Sequence, residues 1–395
     1  MSLVIRRPSW NRIALGCSAG FLAVAVLSSV GPALVALVGA AETGGVDLAN
    51  RIAETQRLWS GESPYEHGGV GGDAVYPPAS YVMLRPLTWC SAALAKWLWA
   101  GSSLCLLVAL GWAAVKVSNT RTPEAMLLVA LVPSSIAGVA YGIQNGQMHI
   151  HVVAALAASA WLLLRSKPTG TTDLLGGGLL LLALVKPTVS GPFLLLLLAR
   201  RDRLRVFACV VVGYVLVTVL GVVLSEAGPG LISQWLFRAH GGARYGSGGS
   251  YGNLHAWSAM AGFSALDALA TIAFLAVFLG FTLTRTAGNA VDGLAWSGLA
   301  LSSLVARLAV YHQDYDDALL IGVQLGLFAH LAKSRSRFAI GALILLVLSQ
   351  LPGRELLHLG GELPSVLEVV RVSIWVACAG LCLRTLRAAD VVKTR

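Results

Sequence analysis

Residues 174–205 read LLGGGLLLLALVKPTVSGPFLLLLLARRDRLR, and the way this stretch meets a bilayer decides the fold. From Leu174 to Ala199 its one charge is Lys186. Read as a single span, it would carry Arg200, Arg201, Arg203 and Arg205 away from the other basic clusters, against the tendency of Lys and Arg to stay cytoplasmic. Breaks at Lys186-Pro187 and Gly191-Pro192 instead give two short antiparallel segments, because proline lacks the donor that a helix interior needs. Non-helical backbone at membrane depth is tolerated where protein or a wet cavity covers it. The broken reading returns the arginines to the basic side and leaves Lys186 buried at depth.

The rest of the chain agrees with a membrane setting. Charged residues make up 12% of 395 residues, hydrophobic residues 56%, and the mean hydropathy is +0.73. A soluble domain carries roughly a quarter charged residues, so soluble, disordered and disulfide-scaffold classes are excluded. No charge falls between Arg12 and Glu42, a run too long for the apolar core of a signal peptide. Further apolar runs lie at 92–116, 123–142, 147–165, 204–225, 265–285, 291–310, 316–332, 337–352 and 366–386, most approaching the ~20 residues that cross a hydrocarbon core. With the broken segment they predict an all-α integral membrane protein of about twelve transmembrane segments, one domain over 1–395, with both termini cytoplasmic. Basic clusters at Arg6–Arg12, Lys116–Arg121, Arg165–Lys167, 200–205 and Lys333–Arg337 fall on the cytoplasmic side of that topology. The long loops, 40–91 and 226–264, fall outside with most of the acids. The net charge of +10 thus records topology, and no nucleic-acid partner is expected. The cysteines, Cys17, Cys90, Cys105, Cys209, Cys378 and Cys382, show no CxxC or loop pairing and read as core thiols.

Polar residues that can do chemistry collect on the outer side. Residues 47–59 have helical spacing, with Leu48, Ile52, Thr55 and Trp59 near one face. Asp47 at its start reads either as an N-cap or as a general base. Lys186 reads either as a cation for an anionic ligand or as an anchor snorkelling to headgroups. Tyr311-His312-Gln313-Asp314-Tyr315-Asp316-Asp317 is the densest polar cluster. His312 can donate to a phosphate or sugar hydroxyl, Asp314 and Asp316 can hold sugar hydroxyls, and Arg307 can face a phosphate or these acids. No metal is expected there, because a tight acidic loop is usually solvated. Gln144, Asn145 and Gln147 form an outer turn able to bind a sugar or phosphate, and Tyr76 and Trp59 can stack on a sugar face. His149 and His151 read as core histidines. The glycine-rich segment with Trp235, Arg238, His255 and Trp257 reads as an acceptor-side lid.

Four pieces together carry a resemblance: Asp47…Trp59-Ser60-Gly61-Glu62-Ser63-Pro64-Tyr65 with Tyr76-Pro77-Pro78; Gly142-Ile143-Gln144-Asn145-Gly146-Gln147; Leu184-Val185-Lys186-Pro187; and Asp314-Tyr315-Asp316. In order, spacing and sidedness the chain resembles the polyprenyl-phosphate-dependent glycosyltransferases of family 87, in the GT-C superfamily. The resemblance implies a GT-C-like bundle with short amphipathic helices in the first outer loop. It also implies that Asp47 is the catalytic base and that a polyprenyl-monophosphate sugar, with mannose foremost, is the donor. Lys186, His312 and Arg307 would face the donor phosphate; no cofactor is implied. The partners are then membrane lipids, the donor and a lipid-linked or glycan acceptor, at the extracytoplasmic face of the cytoplasmic membrane. A nucleotide-sugar donor fits poorly, since that pool is cytoplasmic. The rival class is a transporter or flippase, although no internal repeat of the kind transporters carry is visible.

Overall fold

The computed structural model describes residues 10–39, 44–66, 74–165, 168–198, 200–245, 291–309, 314–334, 337–349, 370–378 and 380–382. Among these residues every regular element is a helix. Helices α1 (Trp10–Val38), α4 (Ala92–Ser118) and α10 (Leu204–Leu224) are each long and apolar enough to cross a membrane. Their flanks stay apolar where they are uncovered: Leu216 of α10 is 62% exposed and Val223 is 74% exposed. Such faces are unfavourable in water and suited to lipid tails.

Two apolar runs are broken. The run at 123–142 is a bent pair, α5 (Pro123–Leu131) and α6 (Ala137–Asn145), turned by 55° where the 3₁₀ turn Val132–Ser135 intervenes. Pro133 withholds a backbone donor there, a signal that hydropathy alone passes over. The 174–199 run breaks where Lys186-Pro187 predicts: α8 (Gly170–Ala183) ends and α9 (Pro187–Leu198) begins. The second expected break is absent, because Pro192 lies inside α9. At 14 and 12 residues, α8 and α9 are about 21 and 18 Å long, each short of the ~30 Å hydrocarbon core.

The two short helices form a hairpin. Asp173 near the start of α8 pairs with the wholly buried Arg203 beyond the end of α9, so the chain goes in and comes back to its starting level. Arg200 also donates to the Leu164 carbonyl at that end. At the hairpin tip, Ser80 of α3 (Pro78–Met83) donates through Oγ to the Val185 carbonyl at 2.6 Å, satisfying a backbone group that the break releases. The Tyr76-Pro77-Pro78 and Lys186-Pro187 motifs, remote in sequence, thus meet in space.

α7 (His149–Ala160) runs on through a π turn at Trp161–Arg165. α11 (Gly230–Tyr245) follows α10, and α12 (Val291–Ala309) and α13 (Leu320–Ser334) pack closely together. At Gly326 a Cβ would come within 2.6 Å of the Ala300 Cβ and 3.0 Å of the Cys382 Sγ. In lipid, close van der Waals packing at small residues, rather than the hydrophobic effect, draws such helices together. The Arg337–Leu348 helix and the Val370–Cys382 stretch complete the described bundle. The expected run at 265–285 lies outside the described residues.

Candidate functional site

The first loop is built on α2 (Val46–Trp59), which begins within a residue of its expected start. Its N-cap is Gly45, with φ of 72°, and no side chain caps it. Asp47 is therefore not the cap; it sits in the first helical turn, where a negative charge still complements the helix dipole. Its Oδ2 accepts a hydrogen bond from Gln147 Nε2 at 2.6 Å. Gln147 Oε1 in turn accepts from the Tyr76 hydroxyl at 3.2 Å. Asp47 is half-buried, and among the described residues it has no ion-pair partner.

The turn that carries Gln147 is docked directly on α2. Gly45 N–H donates to the Gln144 carbonyl at 2.8 Å. Gly146 ends α6 with φ of 71°, a left-handed conformation, and a Cβ there would lie 2.6 Å from the Leu48 Cβ. Only glycine meets both demands. Gln144 and Asn145 are half-buried at the same turn.

The buried face of α2 follows the stripe read from the sequence only in part. Leu48, Arg51, Glu54, Thr55 and Leu58 are buried, while Ile52 and Trp59 are half-buried. Arg51 and Glu54 pair at 2.9 Å, and the Arg51 guanidinium lies 4.6 Å from the centre of the Tyr76 ring. Burial pushes the Glu54 carboxyl up from 4.5 to about 7, with Arg51 and Tyr81 pulling the other way. Burial likewise raises the Tyr76 phenol above its ordinary 10.0, so it keeps its proton. Arg51 and Glu54 escaped the sequence reading because face assignment followed apolar residues; the signal available was an i,i+3 pair of opposite charge. Trp59 is not part of this cluster. It lies at the far end of α2, about 18 Å from Asp47, with the Arg85 guanidinium 4.7 Å over its ring.

Lys186, at the hairpin tip, is 7% exposed, and its Nζ meets Asp316 Oδ1 at 2.5 Å. It also lies 4.9 Å from the centre of the Tyr315 ring. Asp314 opens the 3₁₀ turn Asp314–Leu319 that presents Tyr315 and Asp316. Tyr315 stacks against Tyr141 and His149, with centroids 6.0 and 6.3 Å away. The Lys186 and Asp47 charges lie within electrostatic reach of one another, and Tyr76 feels both along with Arg51 and Asp316.

A second ion cluster stands behind this one. Arg307 Nε meets Asp317 Oδ1 at 2.6 Å, and Arg371 meets Asp317 Oδ2 at 2.8 Å, both guanidiniums 5.3 Å from the Trp375 ring centre. Arg371 was missed because it lies within the run 366–386, read as a membrane span. Asp47, Gln147, Tyr76, Lys186 and Asp316 are thus brought together, Arg307 joins them at one remove, and His312 lies outside the described residues.

His151 behaves as a core histidine, 2.8 Å from Ser102 Oγ and stacked on Trp99. His149 differs: it is fully buried, and neither ring nitrogen has a hydrogen-bond partner among the described residues. Of the glycine-rich loop, α11 is described to Tyr245. It lies across the first loop, with Trp235 Nε1 donating to the Val75 carbonyl and Arg238 Nε to the Tyr65 carbonyl. His255 and Trp257 lie outside the described residues, and no group of three or more His, Cys, Asp or Glu among those described is arranged to hold a metal.

Residues 74–309 match the family model of Glycosyltransferase family 87. That span holds Tyr76, Gln144–Gln147, Lys186 and Arg307, whereas Asp47 and the 314–317 turn flank it. No curated protein and no solved structure matches the chain.

Proposed function

The chain belongs to glycosyltransferase family 87, and on that premise we propose that it is an inverting enzyme of the cytoplasmic membrane. It moves a sugar, mannose foremost, from a polyprenyl-monophosphate donor to a lipid or glycan acceptor on the extracytoplasmic side. Its full chain forms a GT-C-like bundle of about twelve membrane segments.

Asp47 takes the proton of the acceptor hydroxyl as that oxygen attacks the anomeric carbon. The bond to the donor phosphate breaks, and the lipid phosphate leaves with the electron pair. One displacement inverts the centre, so no second carboxylate is needed as nucleophile, in contrast to the retaining glycosidase arrangement. Charge developing on the phosphate is met by Lys186, aided by His312, with Arg307 behind. The lysine ammonium has three donors and Asp316 engages one, which leaves capacity for phosphate oxygens without breaking the pair. Asp314 and Asp316 hold sugar hydroxyls, as do Gln144 and Asn145. The scheme draws on no cofactor.

The observation that carries this reading is the situation of Asp47. It is half-buried beside the bundle, held by a neutral amide rather than a cation, and within electrostatic reach of Lys186. A carboxylate in this setting is within reach of a hydroxyl proton, as a general base must be.

The test is to incubate purified protein with a panel of prenyl-phosphate sugars and an acceptor extract, following release of prenyl phosphate. Release that needs both the matching sugar and the acceptor is expected. Passage of labelled donor across proteoliposomes without release would favour the transport reading instead.

A further inference from the structure

We infer that Gln147 is the positioning residue of the Asp47 carboxylate, locked in turn by the Tyr76 hydroxyl. This inference rests on Asp47 acting as the base. The direction of each hydrogen bond follows from elementary chemistry. An ionised carboxylate only accepts, so the Gln147 amide must turn its NH₂ toward Asp47 and its carbonyl toward Tyr76. The Tyr76 hydroxyl is then left one role, that of donor. A flipped amide would set oxygen against oxygen at 2.6 Å, which excludes that orientation.

Both ends of this chain of bonds are anchored. Gln147 N–H donates to the Gly142 carbonyl at 2.8 Å, fixing the backbone from which the amide springs. On the other side, the Tyr76 carbonyl accepts from the Tyr65 hydroxyl at 2.7 Å, and its ring is covered by the Arg51 guanidinium. The bare backbone of Gly146 against Leu48 brings the two turns together.

The consequence is geometric. Oδ2 is occupied by the amide, which sets the plane of the carboxylate and leaves Oδ1 to meet the acceptor hydroxyl. Because the amide is neutral, it orients the base without cancelling its charge. Alignment of this kind governs rate: a displacement of about 1 Å at a reacting group can cost roughly 100-fold.

Gln147→Met keeps side-chain volume and packing but removes the amide. Its kcat should fall about 10- to 100-fold, with donor and acceptor KM within about twofold of wild type. Tyr76→Phe should lower kcat less, and the double variant should be no slower than Gln147→Met, since both act through one carboxylate. Wild-type kcat in Gln147→Met overturns the inference, as does a change confined to KM, which would make Gln147 a substrate contact. If that variant does not fold, Tyr76→Phe decides alone: an unchanged kcat overturns the inference. Asp47→Asn, run alongside, separates the two levels. An active Asp47→Asn removes the base itself, whereas an inactive one beside a full-speed Gln147→Met removes only the positioning role.

Discussion

Asp47 and Asp316 are both acids at the same end of the bundle, and their surroundings could hardly differ more. Asp316 is buried and shares its charge with Lys186 at 2.5 Å. Asp317, its neighbour, is held between Arg307 and Arg371. Asp47 is half-buried and held by an uncharged amide. The difference separates two tasks. A carboxylate matched to a cation stabilises that cation, while the proposed base is held by a neutral donor that does not cancel its charge.

The sharpest way to break the comparison is Asp47→Asn. A positioned general base contributes roughly 10²- to 10⁴-fold, so prenyl phosphate release should fall by at least that range while donor binding persists. Near-normal turnover would remove Asp47 as the base.

The Lys186–Asp316 pair comes next. Lys186→Met leaves a buried carboxylate without its cation, which costs about 3–5 kcal/mol. Removing both charges in Lys186→Met/Asp316→Leu should restore most of the melting temperature but not donor affinity. Lys116→Met, at the end of α4, serves as the control and should do little to either. A double variant that melts normally and still binds donor would make the pair purely architectural.

The smallest effect is a pH slope from Glu54, a third kind of acid, one that burial partly neutralises. Folded, it titrates at about 7; its ordinary value is 4.5. Between those values the folded protein keeps a proton that the unfolded chain has released. Stability therefore falls as pH rises through that window and levels off above it, by roughly 3 kcal/mol in all. Melting temperatures in detergent at pH 5 and pH 8 should differ by several degrees in the wild type. Glu54→Gln should flatten that difference; an unchanged slope would assign it to other groups.

Much of the architecture was legible because membrane helices announce themselves by length and hydropathy. The break at Lys186-Pro187 was legible too, since charge placement and a missing donor pointed the same way. Pro192 sent a similar signal and is nonetheless helical, because one absent hydrogen bond inside a packed helix is tolerated where neighbours compensate. Conversely, the bend after Val132–Ser135 was missed because the run reads as continuously apolar. In the site, the individual polar residues stood out, yet their partnerships did not. Asp47 and Gln147 are one hundred residues apart, and nothing local to either names the other. Arg51 and Glu54 were hidden for a related reason: a buried ion pair among tyrosines gives no apolar periodicity to follow.

The bond between the first loop and the turn after α6 also bears on how the protein is made. Asp47 comes early, just behind the first helix, whereas its amide partner Gln147, the hairpin Lys186 and Asp316, which pairs with that lysine, follow in sequence. A nascent chain still threading through the insertion machinery therefore carries Asp47 without its amide partner and before Lys186 is in place. If Asp47 is the base, catalytic competence would then wait for the segments that carry Gln147, Lys186 and Asp316, and a partly inserted chain would be unable to transfer sugar.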